Sequence, residues 1–128
     1  MRKSFVFKIS PVPASRPRVG RYGVYYSRPY RVFKKAYEQV IEESLPKNWK
    51  PITGKVVIKK LHLICKQPKS TSLSYPKPDI DNLQKAVFDG CNGKVWVDDC
   101  QIQSLKGEVC KVWADPNEEG RIEMLIEW

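Results

Sequence analysis

Histidine is nearly missing from this chain of 128 residues: there is one, His62. A catalytic dyad or triad that moves protons through imidazole would have to use it. His62 lies in a run of strand-forming residues, where a structural role is expected. Cysteine is also sparse. Cys65, Cys91, Cys100 and Cys110 include no C-x-x-C pair. That speaks against a zinc site of closely spaced ligands, and the four read as reduced thiols. No apolar run approaches the roughly 18 residues of a membrane span. The segment Met1–Lys8 carries charge inside its short apolar stretch and has no signal-peptide core, which points to a cytoplasmic protein. Internal repeats and long linkers are lacking as well. With 41% hydrophobic residues, the chain is expected to form one domain over residues 1–128, with a core that needs neither disulfides nor a structural metal.

Acid is scarce in the first half. Residues 1–60 hold 15 Lys or Arg against Glu38, Glu42 and Glu43, a net of +12, whereas residues 61–128 hold 8 against 11 acids, a net of −3, and the two make up the overall +9. A basic surface attracts polyphosphate backbones. Acids gathered in a phosphate-binding protein repel that ligand, and a bound divalent cation reconciles the two.

Residues 4–9 read as a strand, and Pro11–Arg18 cannot be regular structure because three prolines fix φ and remove donors. Gly20 and Gly23 suggest a turn, and Val24–Tyr26 a short strand. A helix is predicted from about Pro29 to Leu45, with Ser27 as N-cap and Pro46 as stop. Tyr30, Phe33, Tyr37, Val40, Ile41 and Leu45 form its apolar face. Residues 54–65 read as a long strand and 66–78 as an exposed, mobile loop. A second helix is expected from about Asn82 to Cys91, stopped by Asn92-Gly93. Lys94–Val97 then leads in extended form to Asp98-Asp99, and strands near 102–113 and 121–128 flank a turn at Asp115–Asn117. The order suggests an α+β fold with a mixed sheet and two main helices.

Asp79 and Asp81, read as the end of an extended segment, would project to one side. Lys85 follows Asp81 by one helical turn, and Asp98-Asp99 can join them if the chain folds back. Such carboxylates suit Mg2+, which can activate water and offset charge on a leaving oxygen, while Lys85 could stabilise the transition state. The same residues also fit a plainer account, with Asp81 a helix cap and Asp98-Asp99 a solvated turn. Arg16, Arg18, Arg21, Arg28, Arg31, Lys34 and Lys35 are interleaved with Tyr22, Tyr25, Tyr26, Tyr30 and Phe33. Arginine forks bind phosphates and aromatics stack on bases, although Tyr30 and Phe33 fit a core face. Arg16, Arg18 and Arg21 are the preferred nucleic-acid contacts, joined by Lys69 and Lys77 of the loop.

The run Asp79-Ile80-Asp81-Asn82-Leu83-Gln84-Lys85-Ala86-Val87-Phe88-Asp89, followed by Val95-Trp96-Val97-Asp98-Asp99-Cys100-Gln101-Ile102, resembles the signature of the RusA-type Holliday junction resolvases. Early Pro-Val-Pro and Arg-Pro-Arg add to the resemblance, which extends from Ser4 to the C-terminus. It implies a RusA-like intertwined homodimer that resolves four-way DNA junctions by paired symmetric nicks in recombination and repair. It also implies Asp79, Asp81 and Asp99 as ligands of Mg2+ (Mn2+ as the alternative) and Lys85 as a catalytic residue, with Asp98 left open. The origin would be bacterial or prophage, and no nucleotide cofactor is expected. Asp89-Gly90-Cys91-Asn92-Gly93 departs from the pattern and bears on sequence preference. Two other functions are compatible with the residues: a nuclease for other branched or single-stranded DNA, and a structure-specific DNA-binding protein without catalysis.

Overall fold

The computed structural model describes all residues, Met1–Trp128. Six strands and two helices occur in the order β1 (Arg2–Phe7), β2 (Arg18–Gly20), β3 (Gly23–Tyr25), α1 (Arg28–Ser44), β4 (Val56–Cys65), α2 (Ile80–Cys91), β5 (Ile102–Trp113) and β6 (Arg121–Glu127), with a 3-10 turn at Asp99–Gln101 just before β5. The main sheet has the order β1-β6-β4-β5. The β1–β6 and β6–β4 pairs are antiparallel and β4–β5 is parallel, so the fold is α+β with a mixed sheet. A parallel pair needs a long crossover, and here the crossover carries α2.

Period-two burial sets the sheet's two faces. Leu61 and Leu63 of β4, Ile122, Met124 and Ile126 of β6, and Phe5 and Phe7 of β1 are buried in one core cluster with Tyr30, Phe33, Tyr37 and Ile41 of α1 and Leu83, Ala86 and Val87 of α2. Both helices therefore cover one face of the sheet. The intervening residues, among them Lys60, His62 and Glu123, lie on the face that carries no helix.

The apolar face expected for α1 is the buried one, with Val40 and Leu45 at its margin. Ser27 occupies the N-cap position, but its side chain makes no capping bond; instead its N–H donates to Ser15 Oγ at 3.2 Å. In α2 the helix runs through Gly90 to Cys91 rather than stopping there. Gly90 is a packing notch: a Cβ at that position would come within 2.4 Å of the Tyr37 ring. The Tyr37 hydroxyl donates to Val87 O at 3.2 Å, which locks α1 to α2. Gly93, with φ 75°, then supplies the left-handed residue that follows a helix end.

The β4–β5 ladder is irregular. Ile58 pairs with Leu105 but Lys60 with Glu108, so β5 carries an extra residue there, as in a bulge. Gly107 has φ 150°, and a Cβ on it would lie 1.9 Å from Lys59 O; only glycine fits. The loop expected over 66–78 is largely exposed, with Pro76 buried, and two contacts tie it to β5. Trp113 Nε1 donates to Leu73 O at 3.0 Å, and Lys111 Nζ to Pro78 O at 2.6 Å. No helix is long and apolar enough to cross a membrane.

Candidate active site

The start of α2 decides where the acidic motif points. The sequence reading placed Asp79 and Asp81 together in an extended segment. The helix instead begins at Ile80, so Asp79 is the N-cap residue and Asp81 lies in the first turn. Asp79 keeps extended backbone angles, φ −63° and ψ 138°, and so does not itself continue the helix. Nor does either act as the expected cap. Asp79 makes no side-chain capping bond, and Asp81 Oδ1 accepts only from the neighbouring Asn82 N–H at 3.1 Å. Asp79 is exposed and stands apart from the cleft that Asp81 enters.

That cleft has a volume of about 380 Å³ and brings Asp81 and Lys85 of α2 to Asp99 and the first residues of β5. The step of four from Asp81 to Lys85 keeps both on one helix face, as expected. A further step of four reaches Asp89, which the sequence reading passed over. Lys85 Nζ lies 3.2 Å from Asp89 Oδ2. The pKa of Asp99 is raised, first by burial and then by its hydrogen bond to Asp89 and the charges of Asp89 and Asp98. Asp81, Lys85 and Asp89 thus lie along α2, and Asp98 and Asp99 at the 3-10 turn before β5. Repeated helical spacing was the signal for Asp89.

Asp98 has a structural task. Its Oδ2 accepts from Cys100 N–H at 3.0 Å, and its own N–H donates to Gln101 Oε1 at 2.8 Å, a reciprocal cap on the 3-10 turn. The Cys100 thiol, and then the Cys100 N–H, lower the pKa of Asp98 by hydrogen bonding. The Gln101 amide nitrogen donates to Ile52 O and to Gly54 O, both at 2.7 Å. Ile52 also accepts from Val97 N at 3.1 Å and donates to Val95 O at 3.0 Å, and Trp96 is fully buried next to it in the core. The turn that presents Asp99 is therefore pinned to the 52–54 segment.

The basic arm reaches the same place. Ala14 N–H donates to Asn82 O at 2.9 Å, docking the proline-rich segment on α2. A second cavity of about 470 Å³ is lined by Ser15, Arg16, Tyr26, Lys34, Lys85 and Asp89, and a third of about 540 Å³ by Arg31, Lys34, Lys35, Asp89 and Lys94. Lys85 lines both the carboxylate cleft and the second cavity, and Lys34 and Asp89 line both the second and the third, so the cleft adjoins, at Lys85, a groove walled by Arg16 and the basic face of α1. Lys34 Nζ lies 4.9 Å and 5.3 Å from the ring centres of Tyr26 and Tyr30, a cation–π arrangement that orders this wall. Tyr30 and Phe33 belong to the core. Arg18 and Arg21 ride on the β2–β3 hairpin, whose tip residue Tyr22 is 95% exposed. Lys69 and Lys77 are exposed in the loop before α2, outside the cleft.

The model of the family described as endodeoxyribonuclease RusA matches residues 8–127. The chain belongs to the RusA endodeoxyribonuclease family. The match spans both helices, β4 to β6 and the whole cleft, so the RusA family's nuclease character applies to the fold that carries this site. No curated protein matched the sequence.

Proposed function

We propose that this RusA-family chain is a divalent-metal-dependent endonuclease that resolves four-way DNA junctions as an intertwined homodimer. One endonuclease domain over residues 1–128 is supported by the single core cluster that unites both helices and the main sheet. The observation that carries the reading is one cleft holding Asp81, Lys85 and Asp99 and adjoining, at Lys85, a groove walled by arginine and lysine. Phosphate is drawn to such a groove but repelled by the acids in it.

The donors fit a hard cation. Asp81 and Asp99 offer carboxylate oxygens, the ligands Mg2+ or Mn2+ takes. Burial, and then the hydrogen bond and charge of Asp89, raise the pKa of Asp99; a cation would offset the negative charge that gathers there. Asp79, which does not line the cleft, is proposed as a further ligand on its place in the motif alone. When bound, the ion would supply Lewis-acid help to the attacking water and the leaving oxygen. Lys85, its ammonium held by Asp89, is placed to offset charge growing on the scissile phosphate. Asp98 and Gln101 hold Asp99 in position. Arg16, Arg18 and Arg21, with Lys69 and Lys77, are proposed to grip the phosphodiester backbone, and Tyr22 at the hairpin tip offers a ring on which an unpaired base can stack. Two symmetric cuts need two such clefts, which a twofold dimer provides.

The test is cleavage of a synthetic four-way junction, with flap and duplex DNA as competitors. Paired nicks with Mg2+ and none with EDTA are expected, and Asp81→Asn should abolish cutting while still binding the junction. Equal cutting of the flap would move the substrate to other branched DNA. Full activity in Asp81→Asn would remove the site assignment.

A further inference from the structure

On the face of the sheet that carries no helix, one buried polar atom lacks a partner. His62 projects from β4, and its Nε2 is buried without a hydrogen bond. Such atoms are rare in folded proteins, and an ion is one of their standard explanations. Two metal-binding side chains face it from β5. Glu108 Oε2 lies 3.4 Å from Nε2, and Cys110 pairs directly with His62 in the parallel ladder. Ligand atoms of His62, Glu108 and Cys110 all fall within 4.8 Å of one another.

The grouping follows from strand geometry. Glu108 and Cys110 are two residues apart on one strand and so share a face. The bulge at Gly107 sets their register, bringing Glu108 opposite Lys60 and Cys110 opposite His62. The other ring nitrogen, Nδ1, stands 3.9 Å from Glu123 Oε1. Glu123 is itself fixed by Lys60 at 3.1 Å and Arg121 at 2.7 Å. At 3.9 Å, Glu123 places negative charge near the second nitrogen without hydrogen-bonding it. Lys60 and Arg121 engage Glu123 and leave Glu108 free of a lysine or arginine partner.

We propose that His62, Glu108 and Cys110 form a zinc site, with water as the fourth ligand. A nitrogen, a thiolate sulfur and a carboxylate oxygen suit Zn2+ and not the magnesium chemistry of the cleft. The site would clamp β5, an edge strand, to β4 through side chains as well as backbone. It uses one ligand from β4 and two from β5, so no C-x-x-C signature announces it. It is independent of the nuclease assignment, because none of its residues lines the cleft.

The experiment uses the full, reduced, metal-free chain and Co2+ as a spectroscopic probe, followed by displacement with Zn2+. A thiolate-to-cobalt charge-transfer band is expected, lost on adding Zn2+. It should persist in Cys100→Ser, which removes the exposed thiol beside the carboxylate cleft, and vanish in Cys110→Ser and His62→Gln. Glu108→Gln alters an exposed side chain and should fold normally; its Zn2+ affinity should fall at least about tenfold, the smallest loss typical even of supporting residues at metal sites. Zn2+ should raise the melting temperature of the native chain and not of Cys110→Ser, since an ion bound only by the folded state stabilises it. Absence of the band in the native chain, its survival in Cys110→Ser, or unchanged affinity in Glu108→Gln would overturn the proposal. Junction cutting by Cys110→Ser in Mg2+ should equal that of the native chain.

Discussion

Replacing Gln101 by Met keeps the length of the side chain and removes its hydrogen bonds. In the native structure that amide accepts from Asp98 N–H and donates to Ile52 O and Gly54 O. A net hydrogen bond contributes about 0.5–1.5 kcal/mol. The Ile52 bond is partly buried and the other two are exposed, so water replaces the exposed pair at little cost. The expected destabilisation is about 1–2 kcal/mol, or roughly 3–10 °C in Tm for a chain of this size. A domain stable by about 5–15 kcal/mol remains folded after that loss. Any large drop in cutting then reports geometry. A displacement of about 1 Å at a reacting group can cost on the order of 100-fold in rate, and Asp99 begins the turn that Gln101 anchors. Single-turnover cleavage of a four-way junction should therefore slow by roughly 100-fold, with junction affinity in EDTA unchanged. Urea denaturation measures the stability loss in parallel. Native cutting in a variant whose Tm has fallen would show that the turn does not position Asp99 for chemistry.

The buried thiols make alkaline stability a second test. Burial pushes Cys91 up to about 12 and Cys65 to about 11, against an ordinary 9.0. The unfolded chain loses these protons first, so the stability each thiol confers is present below pH 9 and lost as pH rises through the folded values. Cys91 contributes a slope of about −1.4 kcal/mol per pH unit across that window; Cys91→Ala should flatten it in urea melts recorded from pH 8 to 11, and an unchanged slope would refute this. Gly107→Ala should destabilise the chain by more than about 3 kcal/mol, since it combines a positive φ with a backbone clash; a native-like urea midpoint would contradict the bulge. Arg18→Ala combined with Arg21→Ala should weaken junction binding and reduce the slope of log affinity against log salt by about 1.8, the value for two lost phosphate contacts, while Tm stays put because both side chains are exposed on the hairpin.

The helices were legible because burial and periodicity coincide. Tyr30, Phe33, Tyr37 and Ile41 form a face that no strand would produce, and Pro46 ends it. Strands rich in Val and Ile were legible for the same kind of reason, to within two residues at most ends. The start of α2 was not. Asp79-Ile80-Asp81 has neither strong helix nor strong strand preference, and the helix begins two residues earlier than its apolar periodicity suggested. Asp81, Lys85 and Asp99 could be picked from spacing and resemblance, and they do meet in the cleft. The support of Asp99 could not, because Gln101 acts through carbonyls of Ile52 and Gly54, nearly fifty residues away. Likewise His62, Glu108 and Cys110 became neighbours only through the pairing of β4 with β5, and long-range register is not written in local composition.

The strand order β1-β6-β4-β5 has a consequence for how the chain reaches this state. No pair in the main sheet is a hairpin. β1 meets β6 across almost the whole chain, β6 must enter between β1 and β4, and the shortest link, β4 to β5, spans a helix and a long loop. Each pairing closes a large loop before any contact repays its entropy, and such topologies fold in milliseconds to seconds. During that interval β4, apolar along most of its length, is exposed on both edges. Heterologous production should therefore be limited by aggregation of the newly made chain, and slower synthesis at low temperature should raise the soluble yield more than any change made to the surface of the folded protein.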